Sequence, residues 1–267
     1  MSIALIGGTG LCRLPGVELT SEEVVTRWGS VEIRRGQWHG REVLFLPRHG
    51  WDHAVPPHRI NYRANIAALK AAGARAIIAS SAVGTLSQAI EPGTMTLLSD
   101  FIDLTSGRAH TFFDDVVGHL DSTVPYCPVL RAALSAAAAD LGIKLGDEAV
   151  YACTNGPRFE TPAEIRAYRQ MGADVVGMTS VPEVTLAREA ELCYASVAIA
   201  TNWAAGIAGQ PLTHGEVGEM MAQRLSELQR LLARVVAGPA PDDCTCRHAL
   251  DEYGNAAVLR RLAAGQA

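Results

Sequence analysis

The stretch INYRANIAALKAAGARAIIASSAVGTL, residues 60–86, decides the fold. Its first half, up to Gly73, is an alanine-rich helical pattern. It closes on glycine, the residue that most readily takes the conformation past a helix C-cap. Its second half is a run of small and β-branched apolar residues without polar alternation, the pattern of a strand covered on both faces. Ser80, Ser81 and Gly84 end that run, placing short polar groups where sheets of this kind present them to a ligand.

The alternation continues along the chain. SIALI, REVLFLP, TMTLLSDFIDL, ADVVGMT and ASVAIATN read as further strands. VLRAALSAAAADLG, TPAEIRAYRQMG, VPEVTLAREAEL and HGEVGEMMAQRLSELQRLLARVVA read as further helices, with Gly142 and Gly172 at two of their ends. Helix followed by apolar strand, repeated, predicts a layered α/β domain with much parallel pairing. No linker interrupts the first 237 residues, so a single domain is expected over 1–237. GPAPDD then breaks the last long helix. Residues 238–267 read as a tail with one more helix, packed on the same domain or on a neighbouring subunit.

Composition excludes several function classes. The chain has 267 residues, 48% hydrophobic and 19% charged, with a net charge of −5 and no run of Lys or Arg. A nucleic-acid or membrane-surface partner is therefore not expected. MSIALIGGTG reads as a first strand rather than a signal peptide, and no run approaches the roughly 18 apolar residues of a membrane span. A cytoplasmic protein with reduced thiols is expected. Cys12, Cys127, Cys153 and Cys193 are scattered without metal-ligand spacing. Cys244 and Cys246 form a CTC pair, read as free thiols in preference to a strained disulfide.

The polar residues that follow strands carry the chemistry. IGGTG after the first strand serves either as a tight turn or as an anion cradle, with Thr9 adding a hydroxyl. Arg13 stands where a dinucleotide fingerprint needs its third glycine, and Gly-Lys-Ser/Thr is absent, so neither phosphate-loop pattern holds. PRHGWDHAVPPH packs Arg48, His49, His53 and His58 into eleven residues. Gly50 replaces the glutamate a zinc helix requires. A solvated loop is one reading of this segment; a phosphate site with a bidentate guanidinium fork and an imidazole donor is the other. Thr179 precedes Pro182 at a helix start, which favours anions. Asn202 ends another strand and can donate and accept at once, as a purine edge requires. In GPRFETPAEIR, residues 156–166, Thr161, Pro162 and Glu164 start a helix through a capping box. Those signals leave Phe159 and Glu160, an aromatic ring beside a carboxylate, without a local role. Taken together, these residues describe an anion pocket beside a planar-ligand pocket.

With GGTG, PRHG, PPHRINYRANI, SSAVGTL, GPRFET, GADVVGMT, VPEV and TNWAAG in this order, the chain resembles the trimeric purine nucleoside phosphorylases, including their methylthioadenosine and methylthioinosine branch. The match runs over about residues 3 to 217. The resemblance implies a three-layer phosphorylase/hydrolase-like α/β fold with a mixed, largely parallel and partly barrel-like sheet. It implies a cytoplasmic homotrimer, or a dimer of trimers, in purine salvage. It implies attack of phosphate on C1′ of a purine nucleoside, releasing base and ribose 1-phosphate, with no metal and no organic cofactor. By position, Thr9, Arg48, His49, Ser81 and Thr179 would bind phosphate, and Met178 would lie along the ribose. Phe159 would stack on the base; Glu160 and Asn202 would face its edge. Asn202, Glu160 and His49 would carry catalysis, and His53 would line the sugar or the subunit-facing wall. The loop TSGRAHTFFDD, with Phe112 and Phe113, would cover a neighbouring subunit's site.

The resemblance also bears on substrate. In the 6-aminopurine members an Asp stands at position 202, another at 204, and no Glu at 160; here the residues are Asn202, Ala204 and Glu160. A carboxylate accepts from N1–H of hypoxanthine or guanine, which adenine lacks. Inosine and guanosine are therefore the expected nucleosides. His214 points to a 5′-hydroxyl, whereas the methylthio branch carries an apolar residue there. Methylthioinosine phosphorolysis is the alternative, and a non-catalytic purine sensor a weaker one.

Overall fold

The computed structural model describes residues 2–11, 13–207, 214–239 and 244–265; the side chains of His214 and Glu216 also lie outside the described residues. In chain order the strands are β1 (Ser2–Gly7), β2 (Leu19–Thr26), β3 (Gly29–Trp38), β4 (Arg41–Pro47), β5 (Ala74–Thr85), β6 (Met95–Asp103), β7 (Ala149–Cys153), β8 (Val175–Gly177) and β9 (Cys193–Trp203). The helices are α1 (Tyr62–Ala71), α2 (Pro128–Asp140), α3 (Pro162–Gln170), α4 (Ser180–Glu189), α5 (His214–Ala237) and α6 (Ala256–Ala263). The strands form one mixed sheet in the order β2-β3-β4-β1-β5-β8-β7-β6-β9, and β9 also pairs with β5. That second pairing closes β5 to β9 into a barrel-like ring and leaves β2, β3, β4 and β1 as an open wing.

β1 shows why the interior strands are apolar throughout. It lies between β4 and β5, parallel to both. Because side chains alternate, Ala4 and Ile6 enter one core with α1, α4 and α6, while Ile3 and Leu5 enter the other with α2 and α5. β4 and β5 repeat this division, with Leu44 and Ile77 on one face and Phe45 and Ile78 on the other. Two layers of helix over a central sheet follow. Leu250, Leu259 and Ala263 from the tail lie in the α1–α4 core of the same chain.

The β2–β3 hairpin does not follow from the apolar pattern. β2 reads LTSEEVVT and buries little. It is held by eight antiparallel register pairs and by Arg35, whose Nε donates to Glu22 at 2.8 Å and whose Nη1 meets Glu42 at 2.9 Å. Another correction concerns Phe112 and Phe113. They are 2% and 6% exposed and pack in their own chain's core, with Phe112 against Trp28. Their side chains serve this chain's own core.

Candidate functional site

The sheet brings the polar strand ends to one place. β1, β4, β5 and β9 are mutually linked by parallel pairing, so their carboxyl ends lie together. β8 meets β5 antiparallel at Gly84 and Thr85, which delivers Met178 and Thr179 to the same region. The β5–β9 register shifts at Val83/Gly84: Val83 faces Ala200 and Gly84 faces Asn202. The residue left over is Thr201, and this irregularity aims Asn202 into the cavity.

The cavity there is about 350 Å³ in volume. Thr9, Arg48, His49, His53, Ser81, Phe159, Glu160, Met178, Thr179 and Asn202 all line it. His214 lies outside the described residues as far as its side chain goes, but Val217, one turn further along α5, lines the cavity.

One wall is a set of donors. Gly8 crosses so close to β5 that a Cβ there would lie 2.4 Å from the Ser80 carbonyl and 3.0 Å from Arg48 Nη1. The Gly8 N–H donates to Ser80 Oγ at 3.1 Å, so Ser80 belongs to the scaffold. Ser81 Oγ, next along the strand, is buried without a hydrogen-bond partner among the described residues. A buried orphan hydroxyl costs free energy unless a ligand meets it.

Arg48 differs from the sequence expectation. Its bidentate fork is engaged within the protein: Nε donates to Glu183 Oε2 and Nη2 to Glu183 Oε1, both at 2.6 Å, and Nη1 donates to the Ser80 carbonyl at 2.9 Å. Tyr194 adds a hydroxyl hydrogen bond to Glu183 Oε1 at 2.7 Å. Burial works against the guanidinium charge, but Glu183 more than offsets this and holds the Arg48 pKa above its ordinary value. Two of the five guanidinium N–H groups remain for a ligand.

His49 differs too. Its Nδ1 lies 2.8 Å from the Val55 carbonyl. Burial, then the neighbouring Arg48 charge, lowers its pKa to about 4. At neutral pH the imidazole is uncharged, Nδ1 carries the proton donated to Val55, and Nε2 is an acceptor rather than the expected donor. The His53 ring stands 4.7 Å from that of His49.

Phe159, Glu160 and Asn202 bring an aromatic ring, a carboxylate and an amide to the same cavity. Phe159 is 40% exposed at the cavity edge. Glu160 Oε1 accepts from Thr154 Oγ1 at 2.8 Å, and burial raises its pKa. Asn202 is oriented by Thr201 Oγ1, which donates to its Oδ1 at 2.8 Å, and by its own Nδ2–H to the Trp203 carbonyl at 2.9 Å. Among the described residues the second amide N–H has no acceptor. The loop that bears Phe159 and Glu160 is anchored by the expected capping box at Thr161 and Glu164, and by Arg158 gripping Glu164 at 2.7 and 2.8 Å.

Two supporting residues escaped the sequence reading. Glu183 sits in the apolar segment VPEV, fully buried, and an acid in such a place needs a cation. That was the available signal. Arg108 lies in the loop TSGRAHTFFDD. It donates to the carbonyls of Val181 at 2.5 Å, Met178 at 2.8 Å, Asn155 at 3.1 Å and Thr154 at 3.2 Å. It thereby ties the base-facing loop to the Met178 segment. Nothing local in TSGRAH announces this.

The fold and cavity define an α/β protein with hydroxyl and guanidinium donors and an aromatic, carboxylate and amide set in one cavity. The chain belongs to the phosphorylase superfamily, whose family model matches residues 2–237. It is 49% identical to the probable 6-oxopurine nucleoside phosphorylase of Dictyoglomus turgidum, over 97% of this chain and 100% of the relative. It is 48% identical to the 6-oxopurine nucleoside phosphorylase of Pyrococcus furiosus, over 93% of this chain and 97% of that one. Among solved structures, a methylthioadenosine phosphorylase from an Antarctic soil metagenomic library superposes with a TM-score of 0.89 at 34% identity, covering 98% of each chain.

Proposed function

We propose that this nucleoside phosphorylase acts on 6-oxopurine nucleosides, inosine and guanosine, with inorganic phosphate as co-substrate. The observation that carries this is the division of one cavity into two walls. Ser81 and Arg48 supply donors, with no partner among the described residues for Ser81 Oγ, and the Glu160 carboxylate and the Asn202 side-chain amide line the same cavity.

In this assignment phosphate is held by Thr9, Ser81, Thr179 and the remaining Arg48 N–H groups. His49 Nε2 accepts the hydrogen of the monohydrogen phosphate. Held beneath C1′, phosphate needs no further encounter entropy. Its oxygen forms the new bond to C1′ as the C1′–N9 bond breaks, and the electron pair of that bond passes into the purine, which takes up a proton from solvent to leave as the free base. Asn202 donates to the N7/O6 edge where this charge collects. Glu160 accepts from N1–H, and in guanosine from the 2-amino group as well. Adenine would set an acceptor against the Glu160 carboxylate, an unpaired burial costing about 1–3 kcal/mol. Met178 and His53 contact the sugar.

The same assignment includes a homotrimeric, cytoplasmic enzyme, one domain over 1–237 with its tail on that domain, and chemistry without metal or organic cofactor. The burial of tail residues Leu250 and Leu259 supports the domain assignment. Among the described residues no helix is long and apolar enough to cross a membrane. Hypoxanthine released from inosine only when phosphate is present would bear out phosphorolysis. Equal release without phosphate would mean a hydrolase, and none at all a sensor. For the 5′ group, a His214→Met change should shift preference toward methylthioinosine; unchanged preference would remove His214 from the argument.

A further inference from the structure

Outside the cavity, four cysteines that are far apart in sequence meet in the core. The Sγ atoms of Cys127, Cys193, Cys244 and Cys246 all lie within 4.8 Å of one another, and all four residues are buried. Cys127 caps α2 and Cys193 opens β9, while Cys244 and Cys246 come from the tail. The sequence shows no metal-ligand pattern because spacings of 66 and 51 residues separate the first three. The fold supplies the arrangement that the spacing hides.

We propose that these four thiolates bind one structural Zn²⁺ that fastens the tail to the domain. Three observations agree. First, the separations suit the ion: a tetrahedral site with Zn–S bonds of about 2.3 Å has S···S edges of about 3.8 Å. Cys127 and Cys244 stand 3.5 Å apart, and the remaining Sγ atoms fall within the same small volume. Second, the donor set is all sulfur, which selects a soft, four-coordinate ion over magnesium or calcium. Third, two protein donors already point at the sulfurs. Arg188 Nη1 donates to Cys246 Sγ at 3.3 Å and the Leu130 N–H donates to Cys127 Sγ at 3.5 Å, at the positive end of α2. Zn²⁺ with four thiolates carries two negative charges, of which Arg188 offsets one. Binding forms four Zn–S bonds and releases the four thiol protons to solvent, with no change of oxidation state.

The consequence is mechanical. The tail places Leu250 and Leu259 in the core and sets Arg260 on Glu191 at 2.7 Å. It is joined to the body through the same face of α4 that carries Arg188. A metal at its root would hold this packing without taking part in the reaction.

The test uses the full chain, purified without chelator from zinc-supplied cells under reducing conditions. Elemental analysis should give about one zinc per chain, released in step with mercurial titration of four thiols. Replacing the zinc with Co²⁺ should give the strong visible and thiolate-to-metal bands of a tetrahedral sulfur site. Cys244→Ser with Cys246→Ser should lose the zinc. Cys153→Ser, which alters a buried cysteine outside the cluster, should keep it. Should the double variant fail to fold, zinc content and the cobalt spectrum of the unaltered chain decide the matter alone. Metal-free protein in which all six cysteines titrate as free thiols would overturn the proposal. So would an intact mass short of the reduced chain by one or two pairs of hydrogens, which would mean disulfides.

Discussion

Arg48 and Glu183 form a fork-to-fork ion pair, with both contacts at 2.6 Å and both side chains almost completely buried. The pair spans the sheet from the end of β4 to α4, and it fixes the direction in which the remaining guanidinium N–H groups point. Breaking such a pair leaves an uncompensated charge in the interior, at a cost of about 3–5 kcal/mol. Glu183→Gln should therefore lower stability by about that amount in denaturant titration. It should also reduce kcat/KM for phosphate by about 100-fold, the scale of one lost anion donor. Arg48→Lys should not restore it, because an ammonium cannot reproduce the bidentate geometry. A Glu183→Gln enzyme with unaltered phosphate dependence would separate the ion pair from the anion site.

Glu160 should show function and stability pulling in opposite directions. Its pKa is raised by burial. A carboxyl whose folded pKa exceeds the unfolded one supplies stability below the unfolded pKa and loses it as pH rises through the folded value. Glu160→Gln should therefore make the ligand-free enzyme more stable at neutral pH, with the difference vanishing below about pH 4. The same change should lower kcat/KM for inosine by about 10- to 100-fold, the worth of a hydrogen bond to a charged group. Parallel melting curves and initial rates measure both.

His49 has its own pH signature. Its folded pKa of about 4 lies below the unfolded value of about 6.5. Stability from this residue is complete above about 6.5 and is lost as pH falls toward 4, because only the unfolded chain takes up the proton in that window. Denaturant titrations of the ligand-free protein between pH 4 and 7 should show this slope, and His49→Asn should flatten it. A slope unaffected by the substitution would place the titrating group elsewhere.

Gly156 supports the sugar side. It has φ +62, and a Cβ added there would lie 2.4 Å from Met178 Sδ. Gly156→Ala should destabilise by about 1–3 kcal/mol and displace Met178. KM for the nucleoside should then rise while KM for phosphate changes little. Steady-state kinetics with each substrate varied in turn would show whether the two effects separate.

The legible part of this molecule follows from burial. Strands covered on both faces, such as β1, β4 and β5, must be apolar throughout, so their ends and the polar residues there could be located in the sequence. The capping box at Thr161 is a local device and was equally plain. The hairpin β2–β3 lies at the sheet edge and is held by charged cross-strand pairs, so it leaves no apolar signal. Roles that depend on distant partners were hidden for a related reason. The charge of Arg48 is matched across 135 residues, and the donor role expected of His49 reversed once its Nδ1 met Val55. The four clustered cysteines are the extreme case, because no segment holds more than two of them.

The central claim is that the Glu160–Asn202 wall selects 6-oxopurines for phosphorolysis. It is tested most directly by initial rates on inosine, guanosine, adenosine, methylthioinosine and methylthioadenosine, each with and without phosphate. The expected result is phosphate-dependent turnover of the 6-oxopurine nucleosides, with the two adenine nucleosides slower by at least about 10-fold, the equivalent of 1.4 kcal/mol. Adenosine or methylthioadenosine cleaved as fast as inosine would contradict it.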